Sequence, residues 1–94
     1  MDLEWVQAFL AVADTGSFSA AADALFLSQP VISKQVQKLE LQLGVRLFDR
    51  AHRRAELTDA GRRAYPPAQA LARQYQLLEQ AVHPDGSLRL ALLP

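Results

Sequence analysis

The 94-residue chain is half apolar and 21% charged, enough for one small packed domain, or one plus a fragment, and too apolar for wholesale disorder. Having no cysteine, it has no disulfide framework, thiolate metal site or cysteine nucleophile, and two histidines, His52 and His83, are too few for a structural zinc. No apolar run reaches the roughly 18 to 20 residues of a membrane span and the N-terminus lacks a basic-then-apolar signal, so a cytoplasmic protein is expected.

The formal net charge is zero, but it is unevenly spread. Residues 1–27 carry Asp2, Glu4, Asp14 and Asp23 and no base. Residues 28–63 carry Lys34, Lys38, Arg46, Arg50, Arg53, Arg54, Arg62 and Arg63 against Glu40, Asp49, Glu56 and Asp59. A basic segment inside a neutral chain points to a polyanion-facing surface, with a solvated basic face as the plainer alternative.

The first predicted helix places apolar residues at Leu3, Val6, Leu10 and Ala13, with a second row at Trp5, Phe9 and Val12. One row serves the chain's own core, and the other needs a further partner. Asp2 caps its start and Gly16 ends it in a left-handed conformation. Ser17 caps a second short helix with Phe18, Ala21, Ala22 and Leu25 on one face. Its alanines allow another helix to approach closely.

Ser28 caps a third helix predicted from Gln29 to Leu43, with Pro30 tolerated in the first turn. Ile32, Val36, Leu39 and Leu43 form its buried stripe, and Pro30, Ser33, Lys34, Gln37, Lys38 and Leu41 lie opposite. Glu40, its one acid, lies on a flank, and Gly44 stops the helix. Val45–Leu47 and Ala55–Leu57 alternate as short strands do, around a basic tip with Arg50, His52, Arg53 and Arg54. Thr58 caps a long last helix from Asp59. In it Ala64, Ala68, Leu71, Tyr75, Leu78 and Val82 recur at the spacing of a helix that pairs with another helix, and Pro66-Pro67 predicts a kink. His83-Pro84-Asp85-Gly86 breaks that helix, and Ser87–Leu93 reads as a strand opening a missing second domain.

Two short helices joined by a tight turn, the second polar and basic on its open face, match a helix-turn-helix. Gln29 and Gln37 suit adenine, Lys34 and Lys38 guanine or phosphate, and Ser33 either. Pro30 and Val31 offer apolar surface to a thymine methyl, while Ser28 and the helix N-terminus favour a phosphate. The tip with Arg50, Arg53 and Arg54 reads as a wing on phosphates or in a narrow minor groove, and His52 as exposed decoration. Catalysis finds no support: no serine has a histidine or acid at a suggestive spacing, and no glycine-rich phosphate loop occurs. A helical dimeriser with an incidental basic patch is the competing reading.

Ser17-Phe18, Ala21-Ala22, Leu25, Ser28-Gln29-Pro30, Ser33, Leu39-Glu40, Leu43-Gly44, Leu47-Phe48, Arg50, Leu57-Thr58 and Ala60-Gly61 stand in one order over residues 1–63. In this the chain resembles the N-terminal part of LysR-type bacterial transcriptional regulators. The resemblance implies a mainly helical fold: a winged helix-turn-helix with a two-stranded wing over 1–58, a linker and dimerisation helix over 59–83, and a hinge plus first strand of an absent effector-binding domain over 84–94.

It further implies a homodimer, or a tetramer for the full-length protein, that reads a palindromic operator in double-stranded DNA. A small-molecule effector would bind the absent domain, and this part of the chain would need no cofactor or metal. Trp5, Phe9 and Val12 would pack on the partner's linker helix, with Leu71, Tyr75, Leu78 and Val82 forming the seam. Gln29, Ser33 and Lys34 would face the major groove, Arg53 and Arg54 would occupy the wing, and Arg50 the DNA backbone. Two positions depart from the pattern. Lys34 stands where arginine is common, giving up bidentate pairing, and Phe26 stands where the family often has a polar residue.

Overall fold

A computed structural model describes residues 1–51 and 53–83. His52 and the strand expected over 87–93 lie outside the described residues. Four helices and one hairpin follow in the order α1 (Leu3–Thr15), α2 (Phe18–Leu25), α3 (Gln29–Leu43), β1 (Phe48–Asp49), β2 (Glu56–Leu57) and α4 (Asp59–Val82). The mainly helical, winged helix-turn-helix expectation holds.

The helix boundaries follow the capping chemistry. Gly16 takes the left-handed conformation (φ 74°) and donates its N–H to the Val12 carbonyl, which ends α1. One residue later the Ser17 hydroxyl accepts from the Ala20 N–H and starts α2, so the turn between the helices is minimal. Ser28 caps α3 by accepting from the Val31 N–H, and Gly44 ends it at φ 72°. Asp2 stands at the start of α1, but its side chain makes no cap; its backbone carbonyl accepts from the Trp5 N–H.

Helix α1 is the axle of the domain, packed against α2, α3 and α4 within one chain. This corrects the expected division of its faces. The buried set is Val6, Ala8, Phe9 and Val12, because α2 and α3 close one side and the start of α4 closes another. Phe9 and Val12 therefore belong to the chain's own core, and of the second row only Trp5 stays partly open. Ala21 and Ala22 of α2, Ile32, Val36 and Leu39 of α3, and Leu47, Phe48 and Ala68 complete the core. Phe48 joins the layers, with its ring centroid 5.5 Å from Phe9 and 5.6 Å from Phe18.

Leu43, expected at the end of the buried stripe, is 48% exposed. It sits on the last helical residue of α3 and borders an apolar hollow that it shares with Met1, Leu39, Ala64 and Leu71.

The hairpin pairs Phe48 with Leu57 and Asp49 with Glu56 in antiparallel register. The first strand thus begins after the expected Val45–Leu47, because the backbone there is bonded elsewhere: the Val45 N–H donates to the Glu40 carbonyl, the Arg46 carbonyl accepts from the Thr58 hydroxyl and the Leu47 N–H donates to a Glu40 carboxylate oxygen. Thr58 is a junction. Its hydroxyl donates to the Arg46 carbonyl at 2.6 Å and accepts from the Gly61 N–H, capping α4. A Cβ at Gly61 would lie 2.2 Å from the Leu47 carbonyl oxygen, so only glycine allows α4 to start this close to the hairpin. Pro66 and Pro67 are contained within one continuous α4, where the Arg62 and Arg63 carbonyls forgo their usual donors.

Candidate nucleic-acid interface

With Ile32, Val36 and Leu39 buried against α1, geometry turns the opposite side of α3 outward. Gln29, Pro30, Val31, Lys34, Gln37 and Lys38 are exposed and Ser33 is half-buried, while the Ser28 hydroxyl stays at the helix mouth on its capping bond. The first two turns carry the densest set of exposed donors, acceptors and apolar surface among these predicted residues. Lys38 differs from the rest. Its ammonium lies 5.9 Å from the centre of the Trp5 ring, at the rear of the helix and beside α1.

The three arginines of the wing occupy different positions. Arg53 is exposed at the tip. Arg54 folds back: a Cβ at Gly16 would lie 2.5 Å from its guanidinium, so the side chain covers the turn between α1 and α2. The neighbouring Ala55 N–H donates to the Gly16 carbonyl at 3.0 Å and anchors the rear of the wing there.

Arg50 points inward. Its Nη2 donates to Glu40 Oε1 at 3.0 Å, and its guanidinium carbon lies 5.2 Å from the centre of the Phe18 ring. The other Glu40 oxygen accepts from the Leu47 and Phe48 N–H groups at 2.7 and 3.3 Å. One buried carboxylate thereby joins α3, the strand leading into the wing and, through Arg50, the face of α2. Sequence reasoning left Glu40 on a flank. A signal was available: an acid in the last turn of a helix opposes the helix dipole, so its presence there calls for compensating donors.

A second pair, also absent from the sequence reading, links the end of α1 to α4. The Tyr65 hydroxyl donates to Asp14 and accepts from Gln69 Nε2 at 3.2 Å. The hydrogen bond to Asp14, helped by desolvation and by the carboxylate charge, raises the phenol pKa above its ordinary value. Beyond Ala68 the seam residues Leu71, Tyr75, Leu78 and Val82 are all exposed. Among the described residues no group of three or more His, Asp or Glu side chains could hold a metal ion, and no helix is long and apolar enough to cross a membrane.

Comparison with known proteins agrees with this geometry. Residues 3–62 match the family of bacterial regulatory helix-turn-helix proteins of the lysR type. An HTH-type transcriptional regulator from the ibpB-leuC intergenic region of Azotobacter vinelandii is 56% identical over 68 residues, covering 72% of this chain and 47% of that protein. The HTH-type transcriptional regulator YxjO of Bacillus subtilis is 45% identical over 99 residues, covering 100% of this chain and 34% of its own. The chain thus spans less than half the length of these curated relatives.

Among solved structures, the BenM DBD in complex with catB site 1 DNA superposes with a TM-score of 0.80 at 33% identity, over 92% of this chain and 98% of that one. The CbnR DBD–DNA complex gives 0.71 at 39% identity, over 99% and 100%.

Proposed function

The chain belongs to the LysR family of bacterial regulatory helix-turn-helix proteins, and on that premise we propose that it is the operator-reading part of a homodimeric transcriptional regulator. The observation that carries the reading is the exposed edge of α3, where Pro30, Ser33, Lys34 and Gln37 lie opposite the buried Ile32, Val36 and Leu39 and Gln29 and Val31 stand open in the first turn. A helix that is held rigidly by one face and offers amide, hydroxyl, ammonium and apolar groups on the other fits the major groove. The act is binding, with no chemical step.

The parts divide the work. Residues 1–58 form the reading head, with Ser28 and Arg53 toward phosphates and Arg54 at the rear of the wing. Residues 59–83 form the linker, whose Leu71, Tyr75, Leu78 and Val82 pack on a second copy, with Trp5 at the margin of that contact. Residues 84–94 lead toward an effector-binding domain, where a small-molecule effector would act in the complete protein. A cytoplasmic location follows from action on bacterial operators. Arg50, expected on the DNA backbone, has its charge committed to Glu40, so its role is to hold the wing to α3.

The test uses duplexes that the protein itself selects from a random-sequence pool, with scrambled duplexes as controls. Gln29→Ala and Ser33→Ala should each lose about 1 to 3 kcal/mol on the selected duplex and little on the scrambled one. Equal weakening on both would remove α3 from the role of sequence reader.

A further inference from the structure

Phe26 closes α2 in the left-handed region at φ 58°, the one residue other than glycine to do so among the described residues. The conformation is set by the turn. The Phe26 N–H donates into the Ala22 and Asp23 carbonyls, and the Leu27 N–H donates to the Ala22 carbonyl at 2.9 Å, a closure that needs a left-handed residue at this place. Glycine or asparagine adopts it at little cost, and a bulky side chain does not.

The chain nevertheless places a phenyl ring there, and the ring is 94% exposed. Backbone strain with no packing in return is a combination that folding alone does not explain. Leu27 and Val31, close by in the chain, are exposed apolar residues as well.

We propose that Phe26 is a DNA-contacting residue, its ring resting on the apolar deoxyribose surface of the backbone at the edge of the groove that α3 enters. The inference rests on the reading of α3 given above. Phe26 lies two residues before the Ser28 cap and three before Gln29, and every residue from Phe26 to Val31 is exposed. With the start of α3 in a groove about 12 Å wide, the turn that leads into it lies beside a groove wall. No lysine or arginine occurs between Asp23 and Ser33, so the turn brings no cation to a phosphate, and the matching surface on the DNA is the apolar face of its deoxyribose. Such a contact adds affinity with little choice of sequence and no counterion release.

The decisive variant is Phe26→Asn in the 94-residue chain, because asparagine keeps the left-handed turn and removes the ring. Its melting temperature should be unchanged or higher. Its affinity should be about 3- to 10-fold weaker on both the selected and the scrambled duplex, with the salt slope of the parent. Phe26→Tyr should retain parental affinity. Unchanged affinity in Phe26→Asn would overturn the proposal and leave the ring to a protein partner. A fall in melting temperature would make Phe26 structural, and a flatter salt slope would mean that the loss acts through displaced charges.

Gln29→Ala, measured alongside, separates the two levels. If it loses discrimination while Phe26→Asn binds normally, only the contact by Phe26 fails. If Gln29→Ala discriminates normally, the reading of α3 fails first.

Discussion

Helix α1 and the second half of α4 carry similar apolar patterns and meet opposite fates. The apolar rows of α1 pack within the chain, against α2 and α3 on one side and the start of α4 on the other, with Trp5 left partly open. Beyond Ala68, α4 leaves the head, and its row becomes open surface, with Leu78 61% and Val82 63% exposed. The difference shows that periodicity reports the need for a partner and says nothing of which molecule supplies it. Where three helices converge the partner is internal; where α4 extends alone, no described residue covers its row, and the partner proposed for it is a second copy of the chain.

The sharpest way to break this contrast is to charge the open row. Leu71→Glu with Leu78→Glu should leave the head folded, since neither side chain belongs to its core, and should abolish the dimer by burying charges in its seam. Sedimentation would then show a monomer with native helix content and very weak operator binding. A dimer that survives both charges would move the interface to another face.

A smaller effect is expected inside the head. Arg50→Ala leaves the Glu40 carboxylate buried without its cation and should cost about 1 to 3 kcal/mol of stability, read by denaturant unfolding. Because Arg50 touches Glu40 and Phe18 and not solvent alone, the salt slope of binding should stay that of the parent. Arg53→Ala should do the reverse, leaving stability unchanged and flattening the slope by about 1 per subunit. If both variants flattened the slope equally, Arg50 would be a phosphate contact after all.

The smallest effect concerns the bond that ties α1 to α4. Tyr65 has a raised pKa when folded, so its contribution to stability is complete below the unfolded value near 10 and is lost as pH rises through the folded one. Tyr65→Phe should therefore be less stable than the parent at neutral pH, with the gap closing in alkaline solution. A constant gap across that range would show that Asp14 does not hold the phenol proton.

Much of the head was legible in residue order because its signals are local. Ser17, Ser28 and Thr58 act as caps on backbone groups three residues away, and Gly16 and Gly44 act through their own φ. The exposed edge of α3 was legible for a similar reason, since a stripe of Ile32, Val36 and Leu39 leaves the other side for Ser33 and Lys34, and Gln29 stands open at the helix start. The first strand was misplaced, because the residues at 45–47 alternate as a strand does while their backbone groups are claimed by Glu40 and Thr58. Arg50 looked like its neighbours in the basic tip for the same reason: its partner lies ten positions earlier.

Residue order alone sets where helices start and stop, which side of α3 is free, and that the apolar rows of α1 and α4 call for cover. It took the packing of the helices to bury most of α1 within the chain, to bind the wing to the reading helix through Glu40, and to leave Phe26 unsupported in the turn. Caps and periodicities are set by neighbours within a turn or two of the chain. Covering a face, satisfying a buried carboxylate and leaving a ring exposed depend on which distant segments meet, and that is settled only when the helices pack.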